Sequence, residues 1–330
     1  MRKIGGIDVK RISIDDIEGF SIGHAENSQA LTGCTVIICK AGATTGVDVR
    51  GGAPGTRETD LLRSENLIET VHAVFLSGGS AYGLDVGSGV MRFLEENQVG
   101  FDAQVAKIPI VTGAVLFDLA VGNPSIRPDH LMGYQACVNA VQTIPLKEGN
   151  VGAGTGATVG KCLGMDYAMK GGIGVHAIQI GDLKVAAIIA VNCFGDVIDP
   201  TTNQIIAGVY DKKIEKFLKS EEQLLNRITN GKTTNNFHGN TAIGTVITNA
   251  YLTKAQANKV ASIAHDGFAR TMRPSHTMLD GDTIFTMSIG EVEADISTIG
   301  MIAANVVETA VLRGVQKAET VNGIIGFPSI

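Results

Sequence analysis

The residues with the clearest chemical potential are Asn240 and Thr241, where a polar stretch meets a β-type run. Residues 230–240 are polar and turn-forming, with Asn230, Gly231, Asn235, Asn236 and Gly239 among them, and residues 241–250 are rich in Thr, Ile and Val. A threonine hydroxyl is a weak nucleophile until a base takes its proton. An N-terminal threonine supplies that base itself, because an α-amine, with a reference pKa of about 7.7–8.0, is partly unprotonated at neutral pH. An internal threonine lacks the amine, so this chemistry requires a cut between Asn240 and Thr241. The same hydroxyl can make that cut by attacking the Asn240 carbonyl, and water then hydrolyses the ester. Taken alone, Thr241 reads first as an ordinary strand threonine, since β-branched residues favour strands.

Two glycine-rich loops offer rival chemistry. Gly78-Gly79-Ser80-Ala81-Tyr82 follows the apolar run 73–76 and precedes a helical pattern that reaches about Glu96, the order of a nucleophile elbow. Tyr82 stands where the elbow needs its second glycine, so Ser80 reads as a helix N-cap or, with Tyr82, as a wall of a substrate site. The second loop carries Gly152, Gly154, Gly156, Gly160 and Lys161. A phosphate loop would need glycine at Thr155 and Ser or Thr at Cys162. A dinucleotide fingerprint through Gly152, Gly154 and Ala157 lacks a strong preceding strand and an acid about twenty residues on. By itself Lys161 reads as a solvated loop lysine. Asp280 and Asp282 flank Gly281 and read as an Asp-Gly hairpin turn before the run that starts at Thr283. The seven histidines show no metal-ligand spacing, so no metal site is expected, and His276 reads as structural.

The elements that must position these residues follow from periodicity. Strands are expected over 36–39, 73–76, 173–180, 183–191, 241–248 and 283–289, with Gly181-Asp182 as the turn of a hairpin. An extended apolar segment is expected over 108–119. Helices are expected over 61–71, 129–144, 212–228, 253–270 and 295–317, and Thr253 and Gln256 have the spacing of a capping box. Strands and helices mix throughout, with no shift in composition that would divide the chain. One α/β domain over residues 1–330 is expected.

Composition narrows the partners. Hydrophobic residues make up 44% and charged residues 18%, as in an ordered globular chain. A net charge of −6 with dispersed acids and bases argues against nucleic acid, and no unbroken 18-residue apolar run points to a membrane. Five cysteines in no framework read as reduced and buried, and the N-terminus lacks the apolar core of a signal peptide, so a cytoplasmic protein is expected.

Several blocks in one order resemble the DmpA-type L-aminopeptidase/D-esterase family, which includes β-peptidyl aminopeptidases and nylon-oligomer hydrolases. They are residues 42–57, 76–83, 152–161 and 191–196, Asn240-Thr241, and residues 273–283. The resemblance implies a four-layer αββα sandwich of the type shared with ornithine acetyltransferase. It further implies self-cleavage into fragments 1–240 and 241–330, and cofactor-free hydrolysis of amide bonds in small peptides or oligoamides by a homo-oligomer, a tetramer being favoured. Thr241 matches the nucleophile, Asn192 an asparagine that supports the oxyanion, Lys161 the lysine of threonine-type members, and Asp280 and Asp282 a carboxylate pair near the new amine. In aminopeptidase members a glutamate recognises the substrate amine, whereas residues 151–161 here contain no acid. Two other functions stay open at this level: an acyltransferase of the ornithine acetyltransferase type, and a non-catalytic nucleotide-binding oligomer.

Overall fold

The structure, a computed structural model, describes residues 2–4, 7–142, 145–230 and 239–327. Its strands of five residues or more are β1 (Ile7–Arg11), β2 (Ser21–Asn27), β3 (Thr32–Val49), β4 (Thr70–Ser77), β5 (Val111–Val115), β6 (Gly172–Ile180), β7 (Leu183–Val191), β8 (Ile243–Ala250) and β9 (Thr283–Val292). Its α-helices are α1 (Val86–Glu96), α2 (His130–Ala140), α3 (Ser220–Thr229), α4 (Lys254–Thr271) and α5 (Ile296–Gln316).

Period-two alternation sorts the side chains of the central strands onto two faces. In β7, Ala186, Ile188 and Ala190 enter one core while Val185, Ala187, Ile189 and Val191 enter another. Strand β8 repeats this with Ile243 and Ile247 against Val246 and Ala250. In β4, Val74 and Leu76 join the first core and Ala73 and Phe75 a third. The first core is the layer between two sheets. The second is closed by Val260, Ala264, Phe268, Val306 and Val307 of α4 and α5, and the third by Val90, Phe93, Leu94, Ala136 and Cys137 of α1 and α2. The result is the four-layer αββα sandwich. Each layer depends on buried bulk, and Phe268→Ala in the second core would cost about 3–5 kcal/mol.

The two sheets share a strand. The first part of β3 pairs with β2 and β4, its last six residues pair with β9, and a register shift separates the parts between Ile38 and Ala43. Pairing therefore runs in one path, β1-β6-β7-β8-β9-β3-β4-β5. Strands β8 and β9 are parallel, with Ile243 opposite Thr283, and a bridge between Asn240 and Asp280 extends that register beyond the strand ends. This pairing positions the site, because it lays residues 280–282 beside residues 240–242.

Some local expectations fail for identifiable reasons. In place of a helix over 61–71 there is one 3₁₀ turn, Asp60–Leu62, in which Leu62 is the buried residue, and Leu67 is 84% exposed. The helix expected over 212–228 starts only at Ser220. Lys219, at φ 52, breaks the chain before it, and the Asp196 carboxylate accepts hydrogen bonds from Ser220 N and Oγ. Ahead of it, Tyr210–Asp211 pairs with Lys216–Phe217. The segment over 108–119 narrows to β5, and the helix over 129–144 to α2, with 143–144 outside the described residues. Asp280-Gly281 is no hairpin turn, since β9 pairs with β8 in parallel and with the distant β3. Of the polar stretch before Thr241, residues 231–238 lie outside the described residues. Helix α5 has the length and mean hydropathy, 1.3, of a membrane-crossing helix, which a search for an unbroken apolar run does not register. Here 61% of that window is buried, against the second core. The five cysteines are buried and unpaired.

Candidate active site

Thr241 stands two residues ahead of β8 and is 4% exposed. The parallel neighbour brings Gly281 to it. Gly281 N–H donates both to Thr241 Oγ1, at 3.1 Å, and to the Asn240 carbonyl oxygen, at 3.2 Å. Thr241 Oγ1 also donates to that carbonyl oxygen. One backbone donor thus addresses both a hydroxyl and the carbonyl next to it. Only glycine fits at 281, because a Cβ there would lie 2.8 Å from Thr241 Oγ1 and 2.7 Å from Ala53 O.

The flanking carboxylates are buried and held differently. Asp282 Oδ1 accepts from Ala242 N at 2.8 Å, and its Oδ2 accepts from His276 N at 3.0 Å and lies 2.9 Å from His276 Nδ1. Asp280 Oδ2 accepts from Thr277 N and Thr277 Oγ1 at 2.9 and 2.6 Å, while its Oδ1 is buried with no partner among the described residues. Burial, and then the charge of Asp282, push the Asp280 carboxyl up to about 6.

Lys161 is no solvated loop lysine, being 1% exposed. Its Nζ donates to Asn192 Oδ1 at 2.8 Å, Asn192 O at 3.1 Å and Gly239 O at 3.4 Å. Burial pulls its ammonium down to about 8, opposed by the acids around it, including Asp280 and Asp282. For Lys161 and Asp280 alike, loss of water outweighs their mutual attraction. Asn192 ties the cluster together. Its carbonyl also accepts from Thr241 N at 2.9 Å, its Oδ1 accepts from Thr158 N at 2.9 Å, and its Nδ2 donates to Phe117 O at 3.1 Å. Gly281 N–H is a donor that reaches the Asn240 carbonyl, and one of the two N–H groups of the Asn192 amide donates to Phe117 O.

The sequence profile of peptidase family S58 matches residues 13–327. The chain belongs to that family. An uncharacterized aminopeptidase of Mycobacterium leprae is 39% identical over 94% of this chain and 92% of its own length. A 6-aminohexanoate-oligomer endohydrolase of Kocuria sp. is 29% identical over 91% and 85%. In fold, the chain is similar to the L-aminopeptidase D-Ala-esterase/amidase of Ochrobactrum anthropi, at a TM-score of 0.69 with 18% identity over 93% of this chain and 86% of that one. It is also similar to a Burkholderia sp. β-aminopeptidase, at 0.66 and 20% over 95% and 90%. This S58 chain is a hydrolase acting on amide bonds, built on the N-terminal-nucleophile hydrolase fold.

In this S58 chain a cavity of about 110 Å³ opens beside Thr241, and Ser80 and Ala81 contribute to its wall. Tyr82 does not line it. That side chain is 60% exposed, with the Arg127 guanidinium 3.9 Å above its ring. Nor is Ser80 an N-cap: Gly79 holds that place for the turn Ser80–Asp85, and Ser80 itself lies in the left-handed region at φ 55. The loop is anchored by Asp118, whose Oδ1 accepts from Gly79 N and Oδ2 from Thr32 Oγ1, both at 2.7 Å. Sequence reasoning missed Asp118 and the Gly281 amide. Nothing local marks Asp118, whereas glycine between two acids was a usable sign of close backbone approach. A cavity of about 210 Å³ beside His24, Glu26 and Asn139 shares no lining residue with the first. Among the described residues no group of His, Cys, Asp or Glu could hold a metal ion.

Proposed function

We propose that this amidohydrolase processes itself between Asn240 and Thr241 and then uses Thr241 as an N-terminal nucleophile. The observation that carries the reading is Thr241 Oγ1 against the Asn240 carbonyl, with Gly281 N–H donating to both. For self-cleavage, Oγ1 attacks the Asn240 carbon. The C–O bond forms as the C–N bond breaks, Gly281 N–H steadies the developing oxyanion, and the hydroxyl proton passes to the departing nitrogen. Water hydrolyses the ester to a carboxylate on Asn240 and leaves Thr241 with a free α-amine. In turnover that amine is the base for its own hydroxyl. Lys161 holds the Asn192 and Gly239 carbonyls in place and supplies positive potential. The unpartnered oxygen of Asp280 is suited to accept from the new amine, and Asp282 fixes the chain at Ala242.

Small peptides and short oligoamides are the substrates this reading favours, supported by the 6-aminohexanoate-oligomer endohydrolases among its relatives. Intact mass of the purified protein tests it. Two fragments, 1–240 and 241–330, are expected, and Thr241→Ala should abolish both the cut and turnover. An uncut chain that retains activity refutes it.

A further inference from the structure

Gly281 N–H, the donor shared by Thr241 Oγ1 and the Asn240 carbonyl oxygen, belongs to a residue flanked by two buried carboxylates. Two consecutive residues hold that pair. His276 presents its backbone N–H, at 3.0 Å, and its ring Nδ1, at 2.9 Å, to Asp282 Oδ2. Thr277 presents its backbone N–H and its hydroxyl to Asp280 Oδ2, at 2.9 and 2.6 Å. Each thus grips one carboxylate with main chain and side chain together. The other oxygen of Asp282 accepts from Ala242 N at 2.8 Å, so the grip of His276 reaches the residue after Thr241.

His276 is held in this place by more than its own chain neighbours. It lies in the left-handed region at φ 57, which a residue with a side chain seldom adopts unless its surroundings enforce it. Its ring is backed by His265 of α4, edge-on with centroids 4.9 Å apart, and His265 Nε2 lies 3.0 Å from the Asp48 carbonyl oxygen of β3. A helix and a central strand therefore set the ring. Facing a carboxylate, Nδ1 is the donor. The other ring nitrogen, Nε2, is buried with no partner among the described residues, and Thr241 Oγ1 meets the Gly281 amide instead. His276 is thus no base for that hydroxyl, and it acts on Thr241 through Asp282.

We infer, on the reading of Thr241 as the nucleophile, that His276 is a positioning residue for amide cleavage. By holding Asp282 while Thr277 holds Asp280, it fixes the Gly281 N–H against the hydroxyl and the reacting carbonyl. A misplacement of about 1 Å in such a site costs about 10²-fold in rate. A side chain that touches neither nucleophile nor substrate therefore governs the chemical step.

The side chain can be exchanged without disturbing this backbone, because glycine adopts a positive φ freely and asparagine tolerates it. His276→Gly keeps the backbone donor and loses the ring, whereas His276→Asn puts a side-chain N–H where Nδ1 stands. The readout is the time course of fragment appearance from freshly translated full-length chain, an intramolecular step with no substrate to bind. His276→Gly should slow it by about tenfold or more, and His276→Asn should restore most of the lost rate. A merely structural ring would not be replaced by asparagine. His276→Gly cutting at the unsubstituted rate, or His276→Asn as slow as His276→Gly, overturns the inference while leaving Thr241 as nucleophile. An unsubstituted chain that never cuts overturns both. The companion pair keeps the test open if His276→Gly fails to fold: Thr277→Val should slow the cut and Thr277→Ser should not, and Thr277→Val at the unsubstituted rate overturns the paired grip.

Discussion

Lys161 and Lys170 are both completely buried, both donate to three oxygen acceptors, and both are held below the ordinary lysine range by burial, Lys161 at about 8 and Lys170 at about 7. They differ in what they hold. Lys170 Nζ donates to the carbonyls of Gly154, Ala157 and Gly171 at 2.7–3.0 Å, joining the glycine-rich loop to its own strand. Lys161 Nζ holds Asn192 and Gly239, whose neighbours are Thr241 and Asn240, the residues of the proposed cut. Burial and a displaced pKa therefore do not by themselves mark a catalytic lysine. The acceptors of the two lysines differ, placing Lys161 beside Asn240 and Thr241 and Lys170 within the glycine-rich loop.

Substitution should separate the two. Lys161→Met is expected to slow self-cleavage and turnover by about 10²-fold or more, the scale of removing one preorganised electrostatic group, measured as fragment appearance and kcat. Lys170→Met should leave turnover per folded molecule near the original value. If both variants lose activity equally, the distinction fails. The next largest effect is on stability. Lys170→Met removes three hydrogen bonds to buried carbonyls, of which those of Gly154 and Ala157 keep a backbone donor, and should cost about 1–3 kcal/mol. Urea unfolding in the Thr241→Ala background measures it.

The pH dependence of that unfolding separates the titrating groups. An unfolded chain binds more protons than the folded one at Lys170 from about 7, and at Lys161 from about 8, up to the ordinary lysine value of 10.5, so stability should rise with pH across those windows. Asp280 acts in the opposite sense. Folding raises it from 3.8 to about 6, so the folded chain binds the extra proton and stability falls as pH climbs between those values. Lys170→Met should remove the rise that begins near pH 7, and Asp280→Asn should flatten the acid limb. The smallest effect belongs to Asp118, which supports Lys170 electrostatically and anchors the Ser80 loop. Asp118→Asn exchanges a charge-assisted hydrogen bond for a neutral one, worth about 1 kcal/mol, and should raise KM about fivefold with kcat little changed.

Much of this was legible in the residues. The hairpin of β6 and β7, α4 with its Thr253 and Gln256 capping box, and α5 follow from signals that act over a few residues. Thr241 became a candidate nucleophile through its place after a polar stretch and through the family blocks around it. Expectations failed where a weak local period met stronger distant contacts, as at Ser220, which Asp196 pins from 24 residues away. Loop glycines were readable as close approaches, but not which atoms they approach.

The sequence by itself determined the alternation of the strands and the main helices, because periodicity and capping are local properties, and with the family blocks it singled out Asn240 and Thr241 as the candidate reactive pair. Tertiary structure alone decided that Lys161 is buried, that the Asn192 amide turns to Phe117, and that Gly281 N–H faces Thr241. Those outcomes depend on the parallel register of β8 and β9, which joins residues 40 apart, and on the bend of β3 that stacks one sheet on the other. No local signal encodes either, since each is set by the fit of whole layers.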